Sequence, residues 1–295
     1  MLDIATVLTT MFTYIDDFDK SRLKPAKPGP VPKMSDSELI TIALFCELSG
    51  KSSEYEQIRY VEQWLREFFP HLIDRSRYNR RMKALVPSIN EVRIKILSQV
   101  IMALGDIRIL DSSPVPVITF QRAHFTPLFP EAAYGRCAAK KLTYYGFKLH
   151  LITDLSGIPI HFDLSPANVH DVDMAKELLT YDSAGHLVLA DKGYISKPLR
   201  DWLETCAGVQ LMTPARANQK VRESKTDRRL LNGWRQRIEV INALLKEQFR
   251  LEKTLAKTLI GLVRRVMTKI TAFTFGIFLN KLFGRSALEI ASLVA

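Results

Sequence analysis

Three acidic residues stand where a sequence could place metal ligands. Asp111 ends the apolar run IRIL, Asp191 ends the run HLVLA, and Glu239 lies within the helical stretch GWRQRIEVINALLKEQF. Carboxylates at the ends of two predicted strands, together with a third on a later helix, can hold divalent metal ions for phosphoryl transfer. The pattern therefore favours an enzyme that cuts or joins nucleic acid.

The helix around Glu239 is predicted to have a polar face beside a buried one. Its apolar residues recur at helical spacing and are Ile238, Ile241, Leu245 and Phe249. The adjacent polar stripe comprises Arg235, Glu239, Asn242 and Lys246. On this stripe a carboxylate lies between cations that could contact phosphates. The alternative is a solvent-facing helix with an ordinary ion pair between Arg235 and Glu239.

The elements that must position these acids follow from the pattern along the chain. The first hundred or so residues are predicted to be helical, with a capping box from Ser35 to Glu38 and a break near Pro87. From Asp106 onward, three strands in a meander precede helix, strand, helix, strand and helix, and a turn at 154–157 makes a hairpin. This is the order of a ribonuclease H-like α/β fold, a mixed sheet flanked by helices.

Three regions are expected. Residues 1–104 form an all-helical N-terminal domain, residues 105–252 form the ribonuclease H-like catalytic domain, and residues 253–295 form C-terminal helices that pack on the core or form an oligomer interface. Basic residues between Arg75 and Lys83, including Arg80 and Arg81, could form a helix-turn-helix surface that binds DNA ends. An exposed basic helix face is the alternative.

Composition and charge suit a soluble protein with a polyanionic partner. The chain has 295 residues, is 47% hydrophobic, and carries a formal charge of +11 with a pI near 9.5. Between Pro214 and Arg237, eight Lys or Arg residues stand against two acids. A phosphate backbone near a metal site would need such neutralisation, although a solvated basic loop has the same composition.

Cysteine usage and hydropathy indicate the cellular compartment in which the protein is expected. Three widely spaced cysteines without a CxxC pair predict neither a disulfide framework nor a zinc module, which fits a reducing cytoplasm. No signal peptide is expected, and the uncharged stretch 270–280 is too short to cross a bilayer.

Asp171 and Asp173, at the start of a predicted helix, are expected to stabilise its N-terminus rather than bind metal.

Several ordered motifs resemble those of bacterial insertion-sequence transposases of the DDE type, and the nearest group is insertion-sequence family 982. The similarity covers roughly residues 100 to 270. The motifs, in chain order, are LDSSPVPV, KKLTYYGFKLHLITDLSGIP, LSPANVHDVDMAKELL, VLADKGYIS, LMTPARAN and RQRIEVINALLKEQF. Related transposases carry a Tyr, Arg, Glu, Lys signature around the third acid. Arg235, Glu239 and Lys246 match its spacing, whereas Asn232 stands at the Tyr position.

The resemblance implies a catalytic triad of Asp111, Asp191 and Glu239 that holds two Mg²⁺ or Mn²⁺ ions per active site. It also implies DNA as partner, both as the ends of the mobile element and as the target, and a homodimer assembled on DNA. Localisation would be the bacterial cytoplasm, with nucleoid association when DNA is bound and no membrane contact. The expected DNA-contacting residues are Arg235, Lys246, Lys192, Lys140, Lys141, Arg216, Arg80 and Arg81.

Two alternatives to a transposase stay open on the sequence. A ribonuclease H-like nuclease would cleave DNA without joining it. A DNA-binding derivative would retain the scaffold after losing catalysis. Trp234 could take over a stacking role from the missing Tyr, although a core Trp is the favoured interpretation.

Overall fold

The computed structural model describes residues 2–22, 29–30, 32–100, 105–137, 141–180, 185–215 and 224–294. Contacts divide the chain into two compact units. The helical unit is Met1–Val100 with Leu245–Ala295, and the sheet unit is Ile101–Leu244.

The helical unit contains helices whose first turns are capped by local side chains. Ser35 and Glu38 form the predicted capping box, with Glu38 N donating to Ser35 Oγ at 3.0 Å. Ser53 and Glu56 form a second one. Its helices are α1 (Ile4–Ser21), α2 (Asp36–Leu48), α3 (Glu54–Trp64), α4 (Arg75–Ala84), α5 (Val86–Val100) and α9 (Leu259–Leu282).

The predicted break near Pro87 is confirmed. Helix α4 ends at Ala84 and α5 begins at Val86, so that Pro87 falls in the first turn of α5, where a missing N–H costs no helical hydrogen bond. Helix α9 packs against α2 and α5. In the part of the chain that the structure describes, no helix combines the length and apolar character needed to cross a bilayer.

The sheet unit is a mixed α/β structure, as predicted. Strand order is β2-β3-β1-β5-β6. Strands β2 and β4 both pair with the edge of β3 that faces away from β1. Strands β1, β5 and β6 run parallel, whereas β3 is antiparallel to β1, β2 and β4. The strands are β1 (Ile107–Ile118), β2 (Ala133–Cys137), β3 (Leu142–Asp154), β4 (Pro159–Pro166), β5 (Leu187–Ala190) and β6 (Gln210–Met212).

Strand β1 is longer than the sequence predicts. We expected it to end at Asp111, yet it continues to Ile118 alongside β3. Strand β5 pairs with β1 only as far as Leu110, so the remainder of β1 has no β5 partner on that side. Pro114 and Pro116 are tolerated there because a strand edge without a ladder partner needs no N–H donor.

Strand β2 was not predicted at all. Its sequence AYGRC lacks a regular apolar alternation, and the strand is defined by antiparallel pairing with residues 142–146 of β3. Gly135 is required at this place, because a Cβ there would lie 2.6 Å from the Ala167 side chain. Close backbone approach of this kind is invisible in a single sequence.

The described part of the sheet unit also contains the helices α6 (Asp171–Thr180), α7 (Lys197–Trp202) and α8 (Lys225–Ala243). Helix α8 contacts β1 and α6 contacts β4. A π-helical turn, Leu244–Gln248, follows α8 directly. The predicted buried face is confirmed, since Ile238, Ile241, Leu245 and Phe249 are all buried. Trp234 is also buried and belongs to the core.

Candidate active site

The register of two parallel strands brings the first two acids together. Leu110 of β1 pairs with Ala190 of β5, and Asp111 and Asp191 are the next residues on each chain. Because the strands run parallel, both acids lie at the same edge, where ligands of open α/β sheets usually bind. Asp111 is half-buried and Asp191 is exposed.

Helix α8 turns its polar stripe toward these two acids. Asn242 Nδ2 donates to Asp111 Oδ2 at 2.7 Å, and Arg235 Nη2 lies 3.8 Å from Asp191 Oδ1. Glu239 lies on the same stripe, four residues after Arg235 and three before Asn242. The residues on either side of Glu239 along the stripe therefore contact Asp111 and Asp191, whereas Glu239 itself is exposed.

The carboxylates suit a hard divalent cation, since Mg²⁺ and Mn²⁺ prefer oxygen ligands. Adjacent carboxylates also repel each other unless a cation neutralises them. Among the described residues, however, no three His, Cys, Asp or Glu side chains are gathered closely enough to hold an ion. Asp191 instead caps the turn that follows it, with Lys192 N donating to Asp191 Oδ1 at 2.5 Å. The donor chemistry fits a divalent metal, and side-chain adjustment would be needed to gather all three acids.

A second polar cluster lies on the opposite face of β1. Lys148 Nζ lies 2.6 Å from Asp171 Oδ1, and Ser112 Oγ donates to Asp171 Oδ2 at 3.4 Å. Gly193 permits this approach, because a Cβ there would lie 2.9 Å from Asp171 Oδ2. Asp171 was expected to stabilise the start of α6. It does begin that helix, and it also forms an ion pair with Lys148.

His150 and Tyr194 extend this cluster into the core. His150 Nε2 lies 2.8 Å from Ser165 Oγ, and its Nδ1 lies 3.4 Å from the Tyr194 hydroxyl. Burial lowers the pKa of His150 to about 4, with the nearby Asp171 opposing this shift and Lys148 reinforcing it. Burial, and then the charge of Asp171, raises the pKa of Tyr194 well above its ordinary value. Both groups are therefore uncharged near neutral pH.

The sequence did not identify Lys148, His150 or Tyr194 as part of this region. A signal was present in β3, where Lys148 and His150 alternate with Phe147, Leu149 and Leu151. Alternation of this kind puts the polar pair on one face of the strand. It does not reveal which helix covers that face.

The expected DNA-contacting residues are distributed over both units. In the sheet unit, Arg235, Lys192 and Lys141 are exposed. In the helical unit, Lys246 Nζ lies 4.0 Å from Glu252 Oε1, and Arg80 is exposed on α4.

Arg81 differs from Arg80 because its guanidinium is already engaged. It donates to Met34 O at 2.7 Å and to Asp36 Oδ1 at 2.6 Å. Lys140 and Arg216 lie outside the described residues. DNA contact by any of these residues stays a prediction.

Comparison with known proteins gives a family match that covers nearly all of the sheet unit and continues to residue 275. Residues 103–275, more than half of the chain, match the family model described as Transposase DDE domain. All three acids fall within this range. No curated protein matches the chain. Among solved structures, the chain is similar to the crystal structure of the Mos1 Strand Transfer Complex, at 17% identity and a TM-score of 0.24, over 87% of this chain and 84% of that one.

Proposed function

Because this chain belongs to the family of transposases that carry a DDE domain, we propose that it moves an insertion sequence. In this proposal it binds the ends of its own element, cleaves a DNA strand and joins the 3′ hydroxyl to target DNA. Its nearest relatives would be the transposases of insertion-sequence family 982. The observation that carries the proposal is the adjacency of Asp111 and Asp191, faced by the polar stripe of α8 that includes Glu239.

Transposases of the DDE class use divalent metal ions, typically Mg²⁺ or Mn²⁺, and we propose two ions in this site. Asp111, Asp191 and Glu239 would hold them. When bound, such ions supply charge stabilisation at the phosphate and lower the pKa of a bound water. Carboxylates are the appropriate ligands because hard cations prefer oxygen donors.

The residues around the acids have separable tasks. Asn242 donates to the Asp111 carboxylate and thereby restrains its orientation. Arg235 lies at the exposed side of Asp191, where its guanidinium can bind a backbone phosphate in a bidentate manner. No covalent protein intermediate is needed, so no Ser or Tyr nucleophile is invoked.

DNA is the proposed partner in both the cleavage step and the joining step. The net charge of +11 favours a polyanion; Arg235 lies 3.8 Å from Asp191, and Lys192 directly follows Asp191 in sequence. Two ends must be processed together, so we propose a homodimer on DNA, acting at the nucleoid of a bacterial cell. Residues 1–104 would bind the DNA ends, residues 105–252 would catalyse, and residues 253–295 are candidates for the dimer interface.

The decisive test combines cleavage and joining. Wild-type protein, a labelled duplex carrying the element's end, and Mg²⁺ or Mn²⁺ should give a nicked product, and pre-cut ends with a target plasmid should give joined DNA. Asp191→Asn and Glu239→Gln should each abolish both products and leave DNA binding intact. Asp201→Asn and Glu204→Gln replace exposed acids of the same unit and should remain active.

Three outcomes separate the candidate functions. Cleavage without joining would identify a nuclease. Binding without any metal-dependent cleavage by the wild type would identify an inactive DNA-binding derivative. A fully active Asp191→Asn variant would exclude the proposed triad.

Replacing a ligand by a softer one tests direct metal contact. Asp191→Cys should lose activity with Mg²⁺ and regain part of it with Mn²⁺, because a thiolate is a poor ligand for the harder ion. Equal inactivity with both ions would argue that Asp191 does not touch the metal.

A further inference from the structure

A strongly basic cavity lies in the helical unit, between α4 and the start of α9. Its volume is about 500 Å³. Among the described residues that line it, six are Lys or Arg and one, Glu54, is a carboxylate. The six cations are Arg75, Arg80, Lys83, Lys257, Arg264 and Arg265.

The carboxylate on the inner wall does not neutralise this charge. Glu54 is buried and already forms an ion pair with Arg264, lies 3.6 Å from the Arg265 guanidinium, and accepts from Asn79 Nδ2 at 2.7 Å. Burial, reinforced by the neighbouring Arg264, lowers the pKa of Arg265. The wall therefore holds two guanidinium groups at one carboxylate, an excess of positive charge that an anion would relieve.

One buried donor on this wall has no protein partner. The Arg264 side chain is only 4% exposed, and its Nε has no hydrogen-bond partner in the described structure. A buried N–H without an acceptor is costly, so it points to an acceptor that the protein chain does not supply.

The outer wall carries cations that remain available. Arg75, Arg80 and Lys257 are exposed, and no carboxylate of the described residues forms an ion pair with them or with Lys83. The start of α9 also lines the cavity at Thr258 and Gly261. The partial positive charge of a helix N-terminus adds to the attraction for an anion.

We propose that this cavity binds a backbone phosphate of duplex DNA, giving the helical unit a built phosphate site that contains none of the three acids. Guanidinium groups suit phosphate because their donors match its oxygens in pairs. DNA is the polyanion favoured by the family match and by the net charge, and in taking DNA as the ligand the proposal rests on the proposed function. The cavity brings cations of α4 together with cations of the segment 257–265, which lies far from α4 in the sequence.

The salt dependence of DNA binding tests the site without any catalysis. A fluorescent duplex of arbitrary sequence is titrated with full-length protein in EDTA, and anisotropy is measured over a range of NaCl concentrations. The logarithm of the binding constant falls linearly with the logarithm of the salt concentration, and each lost phosphate contact reduces the magnitude of this slope by about 0.9. Arg80→Ala with Lys257→Ala should lower the slope by about 1 to 2 and weaken binding roughly tenfold at low salt.

A matched double variant controls for net charge. Lys95→Ala with Lys281→Ala removes two exposed cations of the same unit that do not line the cavity, and it should change the slope much less. Circular dichroism and thermal unfolding should show both doubles folded like the wild type, because the replaced side chains are exposed. Lys257→Ala alone should lower the slope by about half as much as the cavity double.

Two results would overturn the proposal. One is equal slopes for the cavity double and the control double. The other is thermal stabilisation of the wild type, but not of the cavity double, by inorganic phosphate, with DNA affinity unchanged, which would indicate a free anion as ligand. Neither result touches the cleavage assay, so the proposed function would stand or fall separately.

Discussion

The amide of Asn242 is satisfied at both ends by strand β1. Its Nδ2 donates to Asp111 Oδ2 at 2.7 Å, and its Oδ1 accepts from Ser113 Oγ at 2.8 Å. Asp111 and Ser113 are two residues apart in the strand and therefore lie on the same face, so that a single side chain of α8 contacts both. This fixes α8 against the strand within one turn of Glu239.

Replacing Asn242 should therefore impair both stability and catalysis. Asn242→Ala removes the hydrogen bonds to Asp111 and Ser113 and should lower the free energy of unfolding by about 1 to 3 kcal/mol, measured by urea titration. The cleavage rate at saturating DNA should fall at the same time, because Asp111 loses its orientation. Asn232→Ala, at an exposed position of the same helix, is the control and should be near wild type in both assays. Identical behaviour of the two variants would contradict the assigned role.

Arg235 should matter for DNA and hardly at all for folding. Its contact with Asp191 spans 3.8 Å and both side chains are about half exposed, so the ion pair should contribute no more than about 1 kcal/mol to stability. Arg235→Ala should leave the urea midpoint almost unchanged and raise the DNA concentration needed for half-maximal cleavage. Arg237→Ala removes an exposed arginine of the same helix and is the matched control. If both variants cleave alike at low DNA, Arg235 has no special contact with phosphate.

His150 should make the protein sensitive to mild acid. Its pKa is about 4 in the folded state against about 6.5 when unfolded, so the unfolded chain binds the extra proton between these values. Stability is thus fully present above about pH 6.5 and declines as the pH falls toward 4. At pH 5.5 the loss should be about 1 kcal/mol.

Urea unfolding at pH 7.5 and 5.5 measures this loss. His150→Gln cannot take up the proton and should reduce the difference between the two pH values, although it should be less stable at both. His71→Gln, at an exposed position, should keep the wild-type difference. An unchanged difference in His150→Gln would assign the acid sensitivity to other groups.

The buried ion pair between Glu47 and Lys269 should be costly to break from one side. Lys269 Nζ lies 2.7 Å from Glu47 Oε2, and neither side chain is more than 3% exposed. Burial raises the pKa of Glu47 and lowers that of Lys269, each partly offset by the other's charge. Lys269→Met leaves a buried carboxylate unpaired and should cost about 3 to 5 kcal/mol in urea unfolding.

Removing both charges should restore much of that loss. The double variant Glu47→Gln with Lys269→Met should be more stable than Lys269→Met alone, because no unpaired charge remains. Lys20→Met, in an exposed ion pair with Asp16, should stay near the wild-type midpoint. A Lys269→Met protein as stable as wild type would show that the pair is dispensable.

The sequence alone determined much of the local structure. Capping at Ser35, the helix break at Pro87 and the buried face of α8 each depend on residues a few positions apart, whose spacing encodes the local geometry. The α/β class followed from the order of such elements. Two of the three acids follow apolar strand runs, but Glu239 was selected among the helical acids only by the resemblance to DDE transposases, and the triad stays a prediction.

Only the tertiary structure decided which groups meet. That Asn242 rather than Glu239 bonds Asp111, that Arg235 contacts Asp191, and that β1 runs past Asp111 all depend on strand register and helix placement. The basic cavity likewise joins Arg80 to Lys257, far apart in the chain. Contacts between residues distant in sequence are set by the packing of whole elements. Local propensity and periodicity carry no information about such packing, so a single sequence could not reveal them.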